Sequence, residues 1–379
     1  MTKDKAGSNK RVDIGGQAVM EGVMMKAPEA IAVAVRRPDQ TIVVKHSPYQ
    51  PPAKKHPWMG WPFVRGVINM VSMFSLGLKT LEQSTKMLGV LDEEPSKFEL
   101  WLSKKLGKGI DKIIMGFAMV LAIALSIGLF FVLPELFARL LKGIWPENNM
   151  NLLINLLSGI LRIFILTGYI LFCGKVPDVR RTFQYHGAEH KAVYCNENNL
   201  PLTPENADGF SALHPRCGTS FLLLVFSISI ILFTLLGYQG SNYAWRLLSR
   251  LALLPVVAGL SYEALKALAH SNTGFARGLR WPGLQMQRLT TKAPSSDMLE
   301  VAIVAMNVAL HGMPKMDITP DGYAVLKDYR QSDPAYQPPE ELTASDAATG
   351  QVDVAEEPSI DLSAPDGSAE GSVVADSAL

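Results

Sequence analysis

Two stretches of this chain leave few folding options. Residues 113–133 run 21 positions without a charge, and residues 219–237 run 19. At ~1.5 Å per residue, each is long enough to cross a ~30 Å hydrocarbon layer as a helix. A helix buried inside a water-soluble protein rarely stays uncharged on every face for that long. Two further stretches have the length but carry charge. Residues 152–172 include Arg162, and residues 247–269 include Arg250, Glu263 and Lys266. A charge in hydrocarbon needs a partner, a wet cavity or a route to the interface, and Arg162 with Glu263 is one pair that would meet that need. The expected fold is an α-helical integral membrane protein of about four spans.

Charge placement predicts an orientation. Lys97, Lys104, Lys105, Lys108 and Lys112 precede the first span, and Lys175, Arg180, Arg181, Lys191 and Arg216 lie between the second and third. Arg277, Arg280, Arg288 and Lys292 follow the fourth, whereas the loop between the third and fourth begins YQGSNYAW, without charge. By the positive-inside rule both termini are cytosolic, in a bacterial inner membrane. Trp145, Tyr238, Tyr243 and Trp245 would then form a belt at the outer interface. The N-terminus lacks the apolar core of a cleavable signal peptide.

The formal net charge of +1 is a cancellation. Residues 331–379 hold eleven acidic residues and no Lys or Arg, so the first 330 carry +12. The acidic tail has a single aromatic, Tyr336, and its composition predicts disorder. Three cysteines are too few for a disulfide scaffold.

The remaining segments divide around the spans. Residues 1–55 read as a cytosolic β-rich unit, with a hairpin in IAVAVRRPDQTIVV and turns at Gly15-Gly16 and Gly22. Residues 56–112 hold an amphipathic helix and linker. Val64, Val67, Ile68, Val71, Phe74, Leu78 and Leu81 recur at helical spacing behind Trp58, Trp61 and Phe63, which suits a helix lying in the membrane interface. Residues 113–272 form the membrane core, interrupted by a cytosolic loop at 173–218. Residues 273–330 read as a cytosolic α+β segment, with a strand at 284–291 and a helix from Met298 to about Leu310 capped through Asp297 and Glu300.

The loop at 173–218 carries the chemistry. His186 and His190 stand four apart, on one face of a helix, where they could bind one metal ion. Glu189 beside them completes H-x-x-E-H, the arrangement of inverted zinc peptidases, and would act as general base on water. Such enzymes take a third ligand from a later helix, and Glu263 is the candidate. An ion pair between Glu263 and Lys266 would remove that ligand. His214, Cys217 and His270 are additional donors; for His214 and Cys217 the adjoining Pro215 and Gly218 favour packing or turn roles.

The stretches IGGQAVMEGVMM, YHGAEHKAVYCNE, LHPRCGTSFLLLV and WPGLQMQRLTT resemble the YqhQ-like bacterial integral membrane proteins. The resemblance covers roughly residues 12–312. That family is catalogued as a domain of unknown function and labelled metal-dependent, which implies a metal for His186, Glu189 and His190. The leading expectation is a zinc hydrolase at the cytosolic face of the membrane. Its rival is a non-enzymatic accessory that docks a membrane-protein insertion or translocation partner, with the histidines structural. A transporter built around Arg162 and Glu263 is a third reading, weakened by the lack of an internal repeat. No nucleotide-binding glycine loop or serine elbow is present, the lipid bilayer is the expected partner, and no nucleic acid is expected.

Overall fold

The computed structural model describes residues 14–89, 110–144, 151–235, 243–271, 273–314, 316 and 318–336. Residues 337–379, most of the acidic tail, lie outside them, as do the belt residues Trp145 and Tyr238.

The N-terminal β unit is a meander. Strands β1 (Gly15–Val19), β2 (Gly22–Lys26), β3 (Ala30–Arg36) and β4 (Ile42–Pro48) pair antiparallel in chain order. The hairpin expected around Arg36–Gln40 is the β3–β4 connection, where Asp39 accepts from the amide and hydroxyl of Thr41. A short fifth strand, β5 (Ala324–Leu326), pairs with β4 from nearly three hundred residues downstream. Both faces of the sheet are covered. Val23, Met25, Ala32, Ala34 and Val44 face one core, and Val19, Met24, Val33, Val35 and Val43 face the other. That is why β2 and β3 are nearly continuous apolar runs and do not alternate with polar residues.

After a four-residue turn of helix, α1 (Pro52–Lys55), comes α2 (Val64–Leu88). Its N-terminal end packs on the membrane core, and its C-terminal end places Met87 and Leu88 on the sheet. Its other flank leaves Val71, Phe74, Leu78 and Leu81 exposed at helical spacing.

The core begins with α3 (Ile110–Ile127), which passes through a π-helical turn at Gly128–Val132 into α4 (Leu133–Ile144). The first apolar segment thus runs on beyond residue 133 and includes Arg139 and Lys142. Next come α5 (Asn151–Cys173), α6 (Pro177–Glu197), the short α7 (Pro204–Asp208) and α8 (Gly218–Leu235). The fourth span is two helices, α9 (Tyr243–Ala252) and α10 (Leu254–His270), broken ahead of Pro255. Four segments, Gly116–Ile144, Leu152–Cys173, Gly218–Leu235 and Leu247–Leu268, are long and apolar enough to cross a membrane; α2 is not among them.

These helices are inside-out relative to a soluble bundle. Phe117, Leu125, Phe164, Phe172 and Leu235 are exposed, while Glu135, Arg162 and Arg250 are buried. Glu135 pairs with Arg250. Arg162 does not meet Glu263. Its Nε donates to the Phe130 carbonyl in the π-helical turn at 3.2 Å. Burying the charges together and facing apolar side chains outward suits a hydrocarbon solvent.

Two more helices follow. The strand expected at 284–291 is instead the last part of α11 (Gly274–Thr290), whose start is capped by the Thr273 hydroxyl accepting from the Ala276 amide. Met286, Gln287 and Thr290 are buried at helical spacing, and Gly283 lets α11 approach Ser220 of α8, so packing overrides the local alternation. The final helix, α12 (Ser296–His311), is buried on nearly all sides between the sheet and α6. Its N-cap is Ser295, and Glu300 pairs with Arg36 of β3 at 2.5 Å where the sequence suggested a capping role. Residues 331–336, read as the start of the tail, are held at the sheet's far end, where the Ser332 hydroxyl accepts from Asn307 of α12 at 3.1 Å.

Candidate metal centre

Helix α6 starts with Pro177 in its first turn, four residues after α5 ends. His186 and His190 share its inner face, with ring centroids 4.5 Å apart. Each ring is oriented by a backbone carbonyl at Nδ1, that of Thr290 for His186 (3.0 Å) and that of Ala212 for His190 (2.5 Å). Nε2 of each ring is thereby left for other partners, and that of His190 lies 3.4 Å from Glu189 Oε2. The third group to reach them is Cys217, whose Sγ lies 3.2 Å from His186 Nε2. The three ligand atoms, two imidazole nitrogens and one thiol sulfur, all lie within 4.8 Å of one another.

This trio depends on two long-range packing events. Residues 290–294 run across α6, where Lys292 N donates to the Phe183 carbonyl at 2.9 Å. Gly187 makes room for them: a Cβ there would stand 2.2 Å from the Lys292 carbonyl oxygen. Gln287 of α11 clamps the loop before α8. Its Oε1 accepts from His214 N, and its Nε2 donates to the His214 carbonyl, both at 2.8 Å, and to Ser220 Oγ at 2.9 Å. This clamp brings Cys217 to the histidines.

His214 is near but otherwise engaged. Its Nδ1 accepts from the Arg216 amide at 3.3 Å, and its Nε2 lies 3.5 Å from Glu197. Burial holds it below the ordinary histidine range, and the charge of Glu189 partly opposes that shift. It therefore supports the loop, and its two nitrogens are already spoken for. Glu189 is buried with Oε2 3.4 Å from His190 Nε2. Gly16 of β1 lies directly against its stem, since a Cβ at 16 would stand 2.8 Å from Glu189 Cγ. Arg181 fastens the β1–β2 turn to α6 by a two-pronged pair with Glu21, both contacts 2.5 Å.

Glu263 is not in this group. It accepts from Arg65 Nε and Nη2 at 2.7 and 2.5 Å and from the Phe63 amide at 3.3 Å, which ties α2 to α10. Glu263 pairs with Arg65 where a pairing with Arg162 was expected, and the Lys266 charge also acts on it. Lys266 lies on α10, as does His270, the side chain of which is outside those described. Arg162 is in the membrane core. The residues that sequence reasoning undervalued are Cys217, Gln287 and Gly187. Only Cys217 carried a signal, as a soft donor in LHPRCG.

The trio fits a zinc ion. Imidazole nitrogen and thiolate sulfur are both donors that zinc takes, and each histidine already has at Nδ1 the outer partner that metal-bound imidazoles use. The site opens into a cleft of about 970 Å³.

Residues 61–312 match the family model described as "Protein of unknown function (DUF1385)". The chain is also similar to "Uncharacterized protein YqhQ" of Bacillus subtilis (strain 168), 36% identical over 306 residues that cover 78% of this chain and 92% of that protein. No solved structure matches it. The two-histidine helix, the LHPRCG turn and the Gln287 clamp all fall inside the matched region, and the chain belongs to the DUF1385, YqhQ-like family.

Proposed function

We propose that this protein is a metal-dependent hydrolase that works at the membrane surface, with zinc held by His186, His190 and Cys217. The observation that carries the reading is the orientation of the two imidazoles. Each gives Nδ1 to a backbone carbonyl, His186 Nε2 lies 3.2 Å from the Cys217 thiol, and the ligand atoms of all three residues lie within 4.8 Å of one another. Cys217 takes the place that the sequence offered to Glu263. Three protein ligands leave a fourth position for water or substrate, as in catalytic zinc sites, where bound zinc supplies Lewis acidity and lowers the pKa of water to about 7.

Glu189 is placed to move the proton. The water oxygen adds to a carbonyl carbon while a Glu189 carboxylate oxygen accepts its proton. The carboxyl then returns that proton to the leaving nitrogen or oxygen as the scissile bond breaks, giving an acid and an amine or alcohol. The side chain is buried, with Gly16 of β1 against its stem. Glu189→Gln is expected to keep one zinc per chain and to lose hydrolysis of fluorescein-labelled casein in proteoliposomes by about 100-fold or more. Unchanged hydrolysis would remove Glu189 as the base, and wild-type protein without stoichiometric zinc would remove the reading altogether.

The membrane in question is the bacterial inner membrane, with both termini and the zinc site on the cytosolic side. Lysine and arginine placement supports this. The exposed stripe Val71, Phe74, Leu78 and Leu81 on α2 would lie in the cytosolic interface. A C-terminal green fluorescent protein fusion should fluoresce, and a C-terminal alkaline phosphatase fusion should be inactive. The opposite pattern would invert the topology and put the site outside.

A further inference from the structure

The sheet edge nearest the site is open. β1 is an outermost strand, and among the described residues its backbone makes no bond beyond β2. The register shows which groups face outward. The two-residue turn Met20-Glu21 closes on the pair Val19–Gly22, so the hydrogen-bonded pairs recur at Gln17–Met24 and Gly15–Lys26. Gly16 and Ala18 therefore aim their N–H and C=O groups away from β2.

The space they face is the cleft that contains the histidines. Residues 15–18 line it, with Asn69 and Met73 of α2 on one side and His186 and Glu189 of α6 on the other. The two faces of β1 agree with this arrangement. Gln17 donates to Thr80 of α2 at 2.8 Å, while Gly16 rests on Glu189 of α6. A strand added ~4.8 Å beyond β1 would occupy this cleft, with alternate side chains turned toward α2 and toward α6.

We propose that the cleft takes an extended polypeptide as an added strand, held by main-chain hydrogen bonds to Gly16 and Ala18, so that one of its peptide carbonyls meets Glu189 and the His186–His190–Cys217 trio. The chemistry rests on the hydrolase reading, but the binding needs no metal. A polypeptide fits better than a lipid because the edge presents paired donors and acceptors at strand spacing, which an acyl chain does not use.

The test uses full-length Glu189→Gln protein in nanodiscs, β-casein as an unfolded probe, and hydrogen–deuterium exchange. Casein should slow exchange at Gly16 and Ala18. Ala18→Pro removes an outward N–H without breaking the β1–β2 ladder, and should weaken casein binding about tenfold with zinc per chain unchanged. If Ala18→Pro does not fold, the exchange measurement on the unaltered strand decides. Unchanged β1 exchange with casein would overturn strand addition while leaving a zinc-loaded hydrolase intact. Protection of the edge by short-chain phosphatidylglycerol in place of casein would overturn it in favour of a lipid. Zinc-free protein that still shows casein protection would support strand addition and sink the hydrolase.

Discussion

His190→Ala should empty the metal centre. Wild-type protein is expected to carry one zinc per chain after detergent extraction, and the variant close to none. The expected fall in affinity exceeds about 100-fold, because even the outer partners of zinc ligands are each worth about 10–100-fold. Elemental analysis beside a chelator competition measures both quantities. Cys217→Ala should produce the same loss, and this separates the structure from the sequence pattern alone. Glu263→Gln should retain zinc, since that carboxylate is engaged by Arg65 and Phe63. Zinc lost with Glu263→Gln and kept with Cys217→Ala would refute the donor set proposed here. Because the His190 ring is buried against His186, His214 and Glu189, thermal unfolding of the variant is measured beside its zinc content, and an unchanged melting temperature with zinc lost assigns the loss to the ligand.

Gly187→Ala should damage both the fold and the site, against the direction of helix propensity. Alanine is favoured over glycine within a helix by about 1 kcal/mol. The new Cβ, however, would stand 2.2 Å from the Lys292 carbonyl oxygen, a backbone atom that cannot swing aside. Overpacking of this kind costs about 1–3 kcal/mol, so the net effect is a loss of up to about 2 kcal/mol. The same displacement moves the Thr290 carbonyl away from His186 Nδ1. Zinc affinity should therefore fall by about 10–100-fold, as for any lost outer partner. Thermal unfolding in detergent and a zinc competition titration report the two effects separately. A variant that melts higher and keeps its zinc affinity would show that residues 290–294 do not cross α6 at this point.

How much of this was legible differs between elements. The spans announced themselves because hydrocarbon excludes charge, and long uncharged runs have few other uses. The β3–β4 hairpin was legible because its turn chemistry is local. β5 was not, since three residues nearly three hundred positions away carry no mark of their partner. Residues 284–291 resemble a strand by alternation, yet Thr273 had already started a helix and α8 offered a face to pack against. Arg162, Glu263 and Arg65 show the limit most clearly. Each charge in or near the spans needed a partner, but the candidates were equivalent in one dimension.

The sequence by itself determined four segments long and apolar enough to cross a membrane and a two-histidine helix with an adjacent carboxylate, because hydropathy and i, i+4 spacing are properties of neighbouring residues. Only the tertiary structure decided which third side chain meets the histidines and which strand lies at the sheet edge beside them. Cys217 reaches the histidines because α11 clamps its loop through Gln287, and Glu263 is withheld because α2 presents Arg65. β1 meets Glu189 because Arg181 pins the first hairpin to α6. These are encounters between segments tens to hundreds of residues apart. Their selection depends on which surfaces pack in three dimensions, and no local period records it.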